Sequence, residues 1–175
     1  GCDETLKRMN RHYTTALYLE KCGILRQYFD RPALTTDVIV GFPGETEEEF
    51  AQTERFLETV HFSDMHIFKY SKRRGTKAAD MPNQIDPQIQ SVRSEKLIAL
   101  GERMKDDFLE VCKDQEQIVL IEEETEIDGT KYMTGHSKNY IRCAFEMDGL
   151  VPNMVIKGTI NSKLNEEFVF CKRID

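Results

Sequence analysis

A segment rich in β-branched residues leads into a turn that contains glycine and proline at residues 35–46, TTDVIVGFPGET. Residues 38–40 do not alternate with polar positions, which predicts a strand covered on both faces in a parallel sheet. Thr46 and Glu49 then have the spacing of a capping box, which predicts a helix reaching Val60. Strand, turn and helix make half of a βα unit, where ligands bind at the loop after the strand and glycines let backbone amides approach them. Glycine and proline also serve turn geometry alone, so both interpretations stay open.

Helical spacing recurs on either side of this unit. It predicts a short helix from Asp3, a helix after Thr14, a strand over residues 65–70 and a long amphipathic helix over residues 86–112. Because parallel strands deliver their following loops to one rim, the loops after the two predicted strands should lie together. The residues predicted to face inward are Tyr18, Cys22, Leu25 and Phe29, then Phe50, Leu57 and Val60, then Leu97, Leu100, Met104, Phe108 and Val111.

After Asp114 the pattern changes from helical spacing to alternation. Five short apolar-polar segments follow, separated by turn residues such as Asp128-Gly129 and Asp148-Gly149. Five strands in so short a stretch predict a small closed β-barrel of the oligonucleotide-binding kind.

Composition narrows the class of protein. Hydrophobic residues make up 39% and charged residues 31%, and no apolar run approaches the roughly 20 residues that span a bilayer, so we expect a cytoplasmic protein with no membrane partner. The five cysteines are widely scattered, which predicts reduced, mostly buried thiols and gives no signature of a zinc or iron-sulfur site. The chain starts at Gly1 without Met, and we expect it to be a piece of a longer protein.

One basic window departs from the net charge of −7. Lys69, Lys72, Arg73, Arg74 and Lys77 lie close together with no acidic residue among them. A local basic patch on an acidic protein is typical of a specific contact with a polyanion rather than of bulk attraction. A charged loop that only contacts solvent is the alternative.

Four segments in this order resemble the C-terminal portion of the radical S-adenosylmethionine methylthiotransferases. They are GCDETLKRMNRHYTT (residues 1–15), TDVIVGFPGETEEEF (36–50), FKYSKRRGTKAADMPNQI (68–85) and DGTKYMTGHSKNYIR (128–142). The first and third are most similar to the branch of the family that methylthiolates N6-threonylcarbamoyladenosine next to the anticodon of tRNA.

The resemblance implies an α/β part followed by an all-β part. Residues 1–85 would be the C-terminal part of a partial (β/α) radical SAM barrel, residues 86–114 a connecting helix that packs on it, and residues 115–175 a five-stranded, OB-like TRAM domain that binds RNA. The cofactors implied are S-adenosylmethionine and two 4Fe-4S clusters, whose cysteine ligands would lie outside this chain and leave it inactive alone. The implied partners are a tRNA anticodon stem-loop and a reducing protein such as flavodoxin or ferredoxin.

The resemblance also assigns cofactor residues. Arg11 would clamp the methionine carboxylate through paired donors, and Lys7 and Arg8 would only contact solvent. Glu45 falls one place late against the general motif G-x-I-x-G-x-x-E, so it is expected only to favour the helix start. The loop expected to pack near the adenosine consists of Val40, Gly41, Phe42, Pro43 and Gly44.

Substrate and RNA residues are assigned in the same way. The base would enter beside Lys69, Tyr70, Ser71, Lys72, Arg73, Arg74 and Thr76. Lys72 or Arg73 would meet the carboxylate of its side group, while Tyr70 would either stack on a base or lie in the core. In the β-domain, rings and cations suited to looped RNA are His136, Lys138, Tyr140 and Arg142.

Other functions stay open from the sequence. The chain could be an RNA-binding module without catalysis of its own. It could also belong to a methylthiotransferase that acts on isopentenyladenosine in tRNA or on a ribosomal protein.

Overall fold

The computed structural model describes residues 1–174, which form two compact units. The first unit is Gly1–Phe108 and the second begins at Leu109. The division therefore falls inside the long helix that the sequence predicts.

The first unit places helices around a pair of strands. Its elements are α1 (Asp3–Arg8), α2 (Thr15–Tyr28), β1 (Thr35–Val40), α3 (Glu47–Val60), β2 (Asp64–Lys69), a 3-10 turn (Lys77–Asp80) and α4 (Pro87–Cys112). β1 and β2 pair in parallel with α3 as the crossover, and Val40 lies opposite Lys69. Both strands thus end at the same edge, as expected of a βα repeat.

The starts of α3 and α4 follow from their first residues. The Thr46 hydroxyl accepts the Glu49 amide at 3.2 Å, and the Glu49 carboxylate accepts the Thr46 amide at 3.0 Å, so the predicted capping box is confirmed. Asp86 accepts the Gln88 amide at 2.7 Å, and Pro87 is the first residue of α4, where its missing N–H costs nothing.

The core of the first unit lies between the strands and these helices. It comprises Cys22, Leu34, Val38, Val40, Phe50, Leu57, Val60, Phe62, Leu97, Leu100 and Met104. The inward positions predicted for α3, and the middle of the stripe predicted for α4, are therefore confirmed.

Three predictions of burial were wrong. Leu25, Phe29 and Val111 are 41%, 60% and 57% exposed. α2 packs on α3 near its start, where Tyr18 makes an edge contact with Phe56, and Phe29 has already left the helix with extended backbone dihedrals. Helical spacing marks an apolar face, but only a neighbouring element buries it.

The strand β1 was predicted to be covered on both faces, and the structure covers one. Val38 and Val40 point into the core, whereas Ile39 is half-buried and faces a cleft. Its neighbour across the sheet, Phe68, is 49% exposed. This face of the two-stranded sheet is open in the described residues.

The second unit contains the five strands predicted from alternation. They are β3 (Glu116–Ile127), β4 (Thr130–Ser137), β5 (Arg142–Phe145), β6 (Val155–Lys163) and β7 (Val169–Ile174). The order is β3-β4-β5-β7-β6, and β6 pairs back with β3, so the sheet closes on itself. It is a mixed sheet because β5 and β7 pair in parallel. The expected succession of an α/β part and a β part is confirmed.

Close backbone approach in the second unit requires glycine at one strand position. A Cβ on Gly135 would lie 1.8 Å from the Leu120 carbonyl oxygen across the β3–β4 pair. No side chain fits there, so Gly135 lets the strands approach and curve.

All five cysteines are buried and none forms a disulfide, in line with the predicted buried thiols. They are Cys2, Cys22, Cys112, Cys143 and Cys171.

Candidate functional site

A cleft of about 650 Å³ in the first unit runs along β1 and reaches the loops that follow the two strands. It is lined by Arg11 from the α1–α2 connection, Ile39 from β1, Phe42 from the loop after β1, and Tyr70 and Arg73 from the loop after β2. Two residues assigned to the cofactor, Arg11 and Phe42, therefore share one cavity with five assigned to the substrate, which are Lys69, Tyr70, Ser71, Arg73 and Thr76. Lys72, Arg74 and the other four residues assigned to the cofactor do not line it.

The two loops meet at the end of the sheet. The Tyr70 amide donates to the Val40 carbonyl at 2.9 Å, one step beyond the last strand pair. The rings of Phe42 and Tyr70 make an edge contact with centroids 5.4 Å apart. The expectation that both loops reach the same rim is confirmed.

The glycine loop, residues 41–44, uses much of its backbone internally. Gly41 and Gly44 have φ of +71° and +80°, a region that favours glycine. The Gly41 amide donates to the Glu45 carboxylate at 2.8 Å, and the Gly44 amide donates to the Asn83 carbonyl at 2.9 Å. These glycine amides are not available to a ligand, contrary to the idea drawn from the sequence. The loop instead presents the Phe42 ring to the cleft.

Glu45 is a buried residue that links the glycine loop to α4. The expectation that it only favours the helix start was wrong. Its side chain is 2% exposed, and it accepts Arg93 Nη1 at 2.8 Å as well as the Gly41 amide. Burial raises the pKa of Glu45, while the Gly41 amide and the Arg93 guanidinium oppose that rise.

Two α4 residues that hold this loop were missed from the sequence. Arg93 Nη1 also donates to the Glu45 carbonyl at 3.1 Å, and Gln90 Nε2 donates to the Gly41 carbonyl at 3.3 Å. A signal was present, because the apolar stripe of α4 at Leu97 and Leu100 extends back onto these two polar residues. We call Gln90, Arg93 and Glu45 the latch.

Arg8 was expected to contact only solvent, and this was wrong. Its Nη1 donates to Glu49 Oε1 at 2.8 Å, and the guanidinium lies beside Gly44. The Arg8 hydrogen bond is the largest of the effects that hold the pKa of Glu49 below its usual value.

The basic loop, residues 69–77, is far less restrained. Lys69 reaches Ser91 of α4 at 3.4 Å. Thr76 caps the 3-10 turn, since its hydroxyl donates to the Arg73 carbonyl at 2.8 Å and accepts the Ala79 amide at 3.3 Å. The exposed residues of the loop include Ser71, Lys72, Arg73 and Arg74. In the part of the chain that the structure describes, no acid lies within ion-pair distance of the last three.

Tyr70 and Arg11 complete the cleft. Tyr70 is half-buried against Phe42, and its hydroxyl has no hydrogen-bond partner among the described residues. Arg11 is exposed on the cleft wall.

Metal ligands are not gathered anywhere in residues 1–174. No group of three or more His, Cys, Asp or Glu side chains in that range could hold a metal ion. The chain therefore offers no ligand set for an iron-sulfur cluster within the described residues.

In the second unit, the residues assigned to RNA surround the β4–β5 turn. His136 contacts Glu122 at 2.7 Å and the Tyr140 ring at a centroid distance of 5.7 Å. Arg142 donates to Glu167 at 2.6 Å and stacks 4.1 Å above Phe168. Lys138 is exposed, as is Tyr140 at 82%. Two of the four therefore already contact acids.

None of the described helices combines the length and apolar character needed to cross a membrane.

Comparison with known proteins gives a family match and curated relatives. Residues 1–57 match the family model described as the Radical SAM superfamily. The threonylcarbamoyladenosine tRNA methylthiotransferase MtaB of Bacillus subtilis is 38% identical over 148 residues, covering 83% of this chain and 33% of that protein.

Two further relatives are named tRNA-2-methylthio-N(6)-dimethylallyladenosine synthase. The one from Caldicellulosiruptor saccharolyticus is 45% identical over 59% of this chain and 22% of its own length. The one from Acetivibrio thermocellus is 34% identical over 93% of this chain and 34% of its own length. The chain thus spans about a third or less of these relatives.

Proposed function

Because the chain is a relative of the radical S-adenosylmethionine methylthiotransferases, we propose that it is part of a cytoplasmic tRNA methylthiotransferase. The substrate proposed is N6-threonylcarbamoyladenosine next to the anticodon. The observation that carries this proposal is the shared cleft, where Phe42 of the glycine loop and Arg73 of the basic loop line one cavity.

The cleft fits S-adenosylmethionine by volume and by chemistry. At about 650 Å³ it lies in the usual range for cofactor sites, and the Phe42 and Tyr70 rings, which meet edge to face, offer an apolar surface to an adenine. The exposed Arg11 guanidinium is suited to paired hydrogen bonds with the methionine carboxylate. The cofactor would supply a sulfonium whose reductive cleavage begins the chemistry.

Iron-sulfur chemistry is proposed to come from outside this chain. Two 4Fe-4S clusters in the whole enzyme would be ligated by residues elsewhere, and flavodoxin or ferredoxin would provide electrons. In this arrangement the chain would hold cofactor and substrate, and it would be inactive by itself.

The charge of the basic loop favours the threonylcarbamoyl substrate over a dimethylallyl one. The threonylcarbamoyl group carries a carboxylate, whereas a dimethylallyl group is an uncharged hydrocarbon. Lys72 and Arg73 are exposed cations with no acidic partner in the described residues, so either can pair with that carboxylate. The relative from Bacillus subtilis carries the threonylcarbamoyl name and covers most of the chain.

The second unit is proposed to be a TRAM domain that holds the anticodon stem-loop. Tyr140 offers an exposed ring for base stacking, and Lys138 offers an exposed cation for phosphate. The closed five-stranded sheet supports this role, because small β-barrels commonly bind oligonucleotides.

Nucleoside analysis tests the substrate. In a strain lacking the gene, we expect 2-methylthio-threonylcarbamoyladenosine to vanish from digested tRNA while the dimethylallyl product persists, as read by mass spectrometry. Complementation with the full-length gene should restore the product, and an Arg73→Gln version should restore about tenfold less at limiting enzyme, because a charge-assisted pair is lost. Loss of the dimethylallyl product instead would reject the substrate assignment.

A binding module without catalysis is the second candidate, favoured by the exposed Tyr140 and the partly polar β4–β5 turn. Fluorescence anisotropy of this chain with an anticodon stem-loop measures it directly. Equal affinity for the stem-loop and for an unrelated polyanion such as heparin would contradict specific RNA binding.

A further inference from the structure

Arg93 is the most buried cation beside the glycine loop. Its side chain is 6% exposed and contacts the Glu45 carboxylate, the Glu45 carbonyl and, at 3.1 Å, the Glu47 carboxylate. Its guanidinium also lies 5.2 Å from the centroid of the Phe50 ring. One side chain of α4 thus holds the segment that joins the glycine loop to α3.

A buried ion pair is weak support for stability, because desolvation offsets much of the Coulomb attraction. Arg93 and Glu45 instead fix the orientation of their groups. The planar Arg93 guanidinium holds the Glu45 carboxylate in place, and that carboxylate accepts the Gly41 amide at 2.8 Å. Gln90 holds the carbonyl of the same residue from the other side. Gly41 is therefore restrained through both of its peptide groups at a φ of +71°.

The restraint reaches the cleft through Phe42. This residue follows Gly41 directly, is 7% exposed, and makes an edge contact with Tyr70. A change in the Gly41 dihedrals would swing Phe42 away from the cleft wall, because the direction of one side chain depends on the backbone just before it.

We propose that Arg93 is a positioning residue, which holds Gly41 through Glu45 and so fixes the Phe42 wall against the adenosine of the cofactor. The inference rests on the proposed function, since it assigns the purpose of the latch within that site. Arg93 is not one of the residues that line the cleft and does no chemistry; it acts through Glu45, which does line the cleft.

A neighbouring ion pair provides a matched control. Lys96 lies one helical turn after Arg93, also joins α4 to α3, and pairs with Glu54 at 2.7 Å, but it contacts no residue of the glycine loop. Lys96→Gln removes an interhelical ion pair without touching the latch. Leu100→Ala, in the core on the same helix, supplies a general loss of stability.

Affinity for S-adenosylhomocysteine tests the positioning role. In the full-length, cluster-loaded protein, well below its unfolding temperature, we expect Arg93→Gln to weaken binding about tenfold by calorimetry, because the wall is no longer held in its bound position. Arg93→Lys should fall between, since an ammonium keeps the charge but not the planar fork. Lys96→Gln and Leu100→Ala should bind like the wild type.

Hydrogen–deuterium exchange gives a second readout that does not depend on any ligand. In Arg93→Gln, the peptide that contains Gly41 should exchange about tenfold faster, while peptides from β2 and the second unit stay unchanged. Leu100→Ala should instead raise exchange throughout the first unit.

The outcomes separate the two proposals. A wild-type protein that binds no S-adenosylhomocysteine overturns the proposed function, and the role of the latch with it. A wild type that binds while Arg93→Gln binds equally well overturns the latch alone. Faster exchange at Gly41 with unchanged affinity also overturns it, because the loop would then be held for stability only.

Discussion

The glycine loop and the basic loop follow neighbouring parallel strands to one edge, yet their polar groups are used in opposite ways. In the glycine loop, both glycine amides and the Gly41 carbonyl bond to other parts of the first unit. In the basic loop, Lys72, Arg73 and Arg74 are exposed and meet no acid among the described residues. A loop whose backbone groups already hydrogen-bond within the protein is rigid and suits a ligand of constant shape. A loop whose cations have no acidic partner suits a polyanion that arrives from solvent.

The same residue type illustrates the difference. Arg93 is buried and holds protein, whereas Arg73 is exposed and has no acidic partner in the described part of the chain. A buried guanidinium fixes geometry, and an exposed one attracts charge at a distance that salt screens. The sequence alone does not show which of the two arginines is buried and which is exposed.

We expect the largest difference between the two loops in the unfolding free energy lost when one glycine of each loop is replaced by alanine. A Cβ on Gly41 would lie 2.4 Å from Gln90 Cγ, and φ is +71°, so Gly41→Ala should cost about 3 kcal/mol of unfolding free energy. A Cβ on Gly75 meets nothing within 4 Å at a φ of +82°, so Gly75→Ala should cost only about 1 kcal/mol of backbone strain.

Urea denaturation of the two variants measures both values. Equal losses would mean that the glycine loop is no more tightly held than the basic loop, and the contrast would fail.

Removing two cations should affect binding next most strongly. Arg73→Gln with Arg74→Gln should weaken tRNA binding about tenfold and reduce the slope of log affinity against log salt by about 1.5, because two cations that meet the polyanion are removed and fewer counterions are released on binding. The free energy of unfolding should stay within about 0.5 kcal/mol, since both side chains are exposed.

A matched control is Lys21→Gln with Arg55→Gln, which removes two exposed cations that already pair with Glu20 and Glu48. Anisotropy titrations at several salt concentrations compare the two doubles. An unchanged salt slope in Arg73→Gln with Arg74→Gln would show that the basic loop does not touch phosphate.

The smallest effect concerns how the stability contributed by the Arg8–Glu49 pair, beside the glycine loop, depends on pH. The Arg8 hydrogen bond is the largest of the effects that hold the pKa of Glu49 below its usual value, so this pair stabilises the fold above that value, and the contribution is lost as pH falls through the lowered pKa. Arg8→Met should therefore cost about 1 kcal/mol at pH 7, and the difference from wild type should shrink in acid.

Thermal unfolding from pH 7 down to pH 3 follows this difference. A gap that stays constant across the range would mean that Arg8 acts by packing on Gly44 rather than by charge. Glu45 has the opposite sign, since burial raises its pKa, so its ionisation costs stability as pH rises through that pKa.

Local rules in the sequence predicted the elements better than the contacts between them. The capping box at Thr46, the proline start of α4 and the five alternating strands each depend on residues close in sequence, and all three were confirmed. The wrong assignments at Leu25 and Phe29 depended on which neighbour covers α2, which spacing cannot specify.

The site shows the same limit. The glycine turn and the basic window could be recognised as loops on one rim, because parallel pairing fixes where they end. The role of Glu45 could not, since it depends on Arg93, which lies 48 residues away in the chain. The available signal was that Gln90 and Arg93 continue the apolar stripe of α4. Polar residues at such core positions usually form specific hydrogen bonds.

Because all five cysteines of this chain are buried, its described surface exposes little thiol to thiol reagents. Within residues 1–174, a maleimide dye should react mainly at a cysteine introduced on purpose. Lys72 and Lys138 are exposed positions for such a label, one in each unit, so fluorescence from either could report RNA contact by that unit separately.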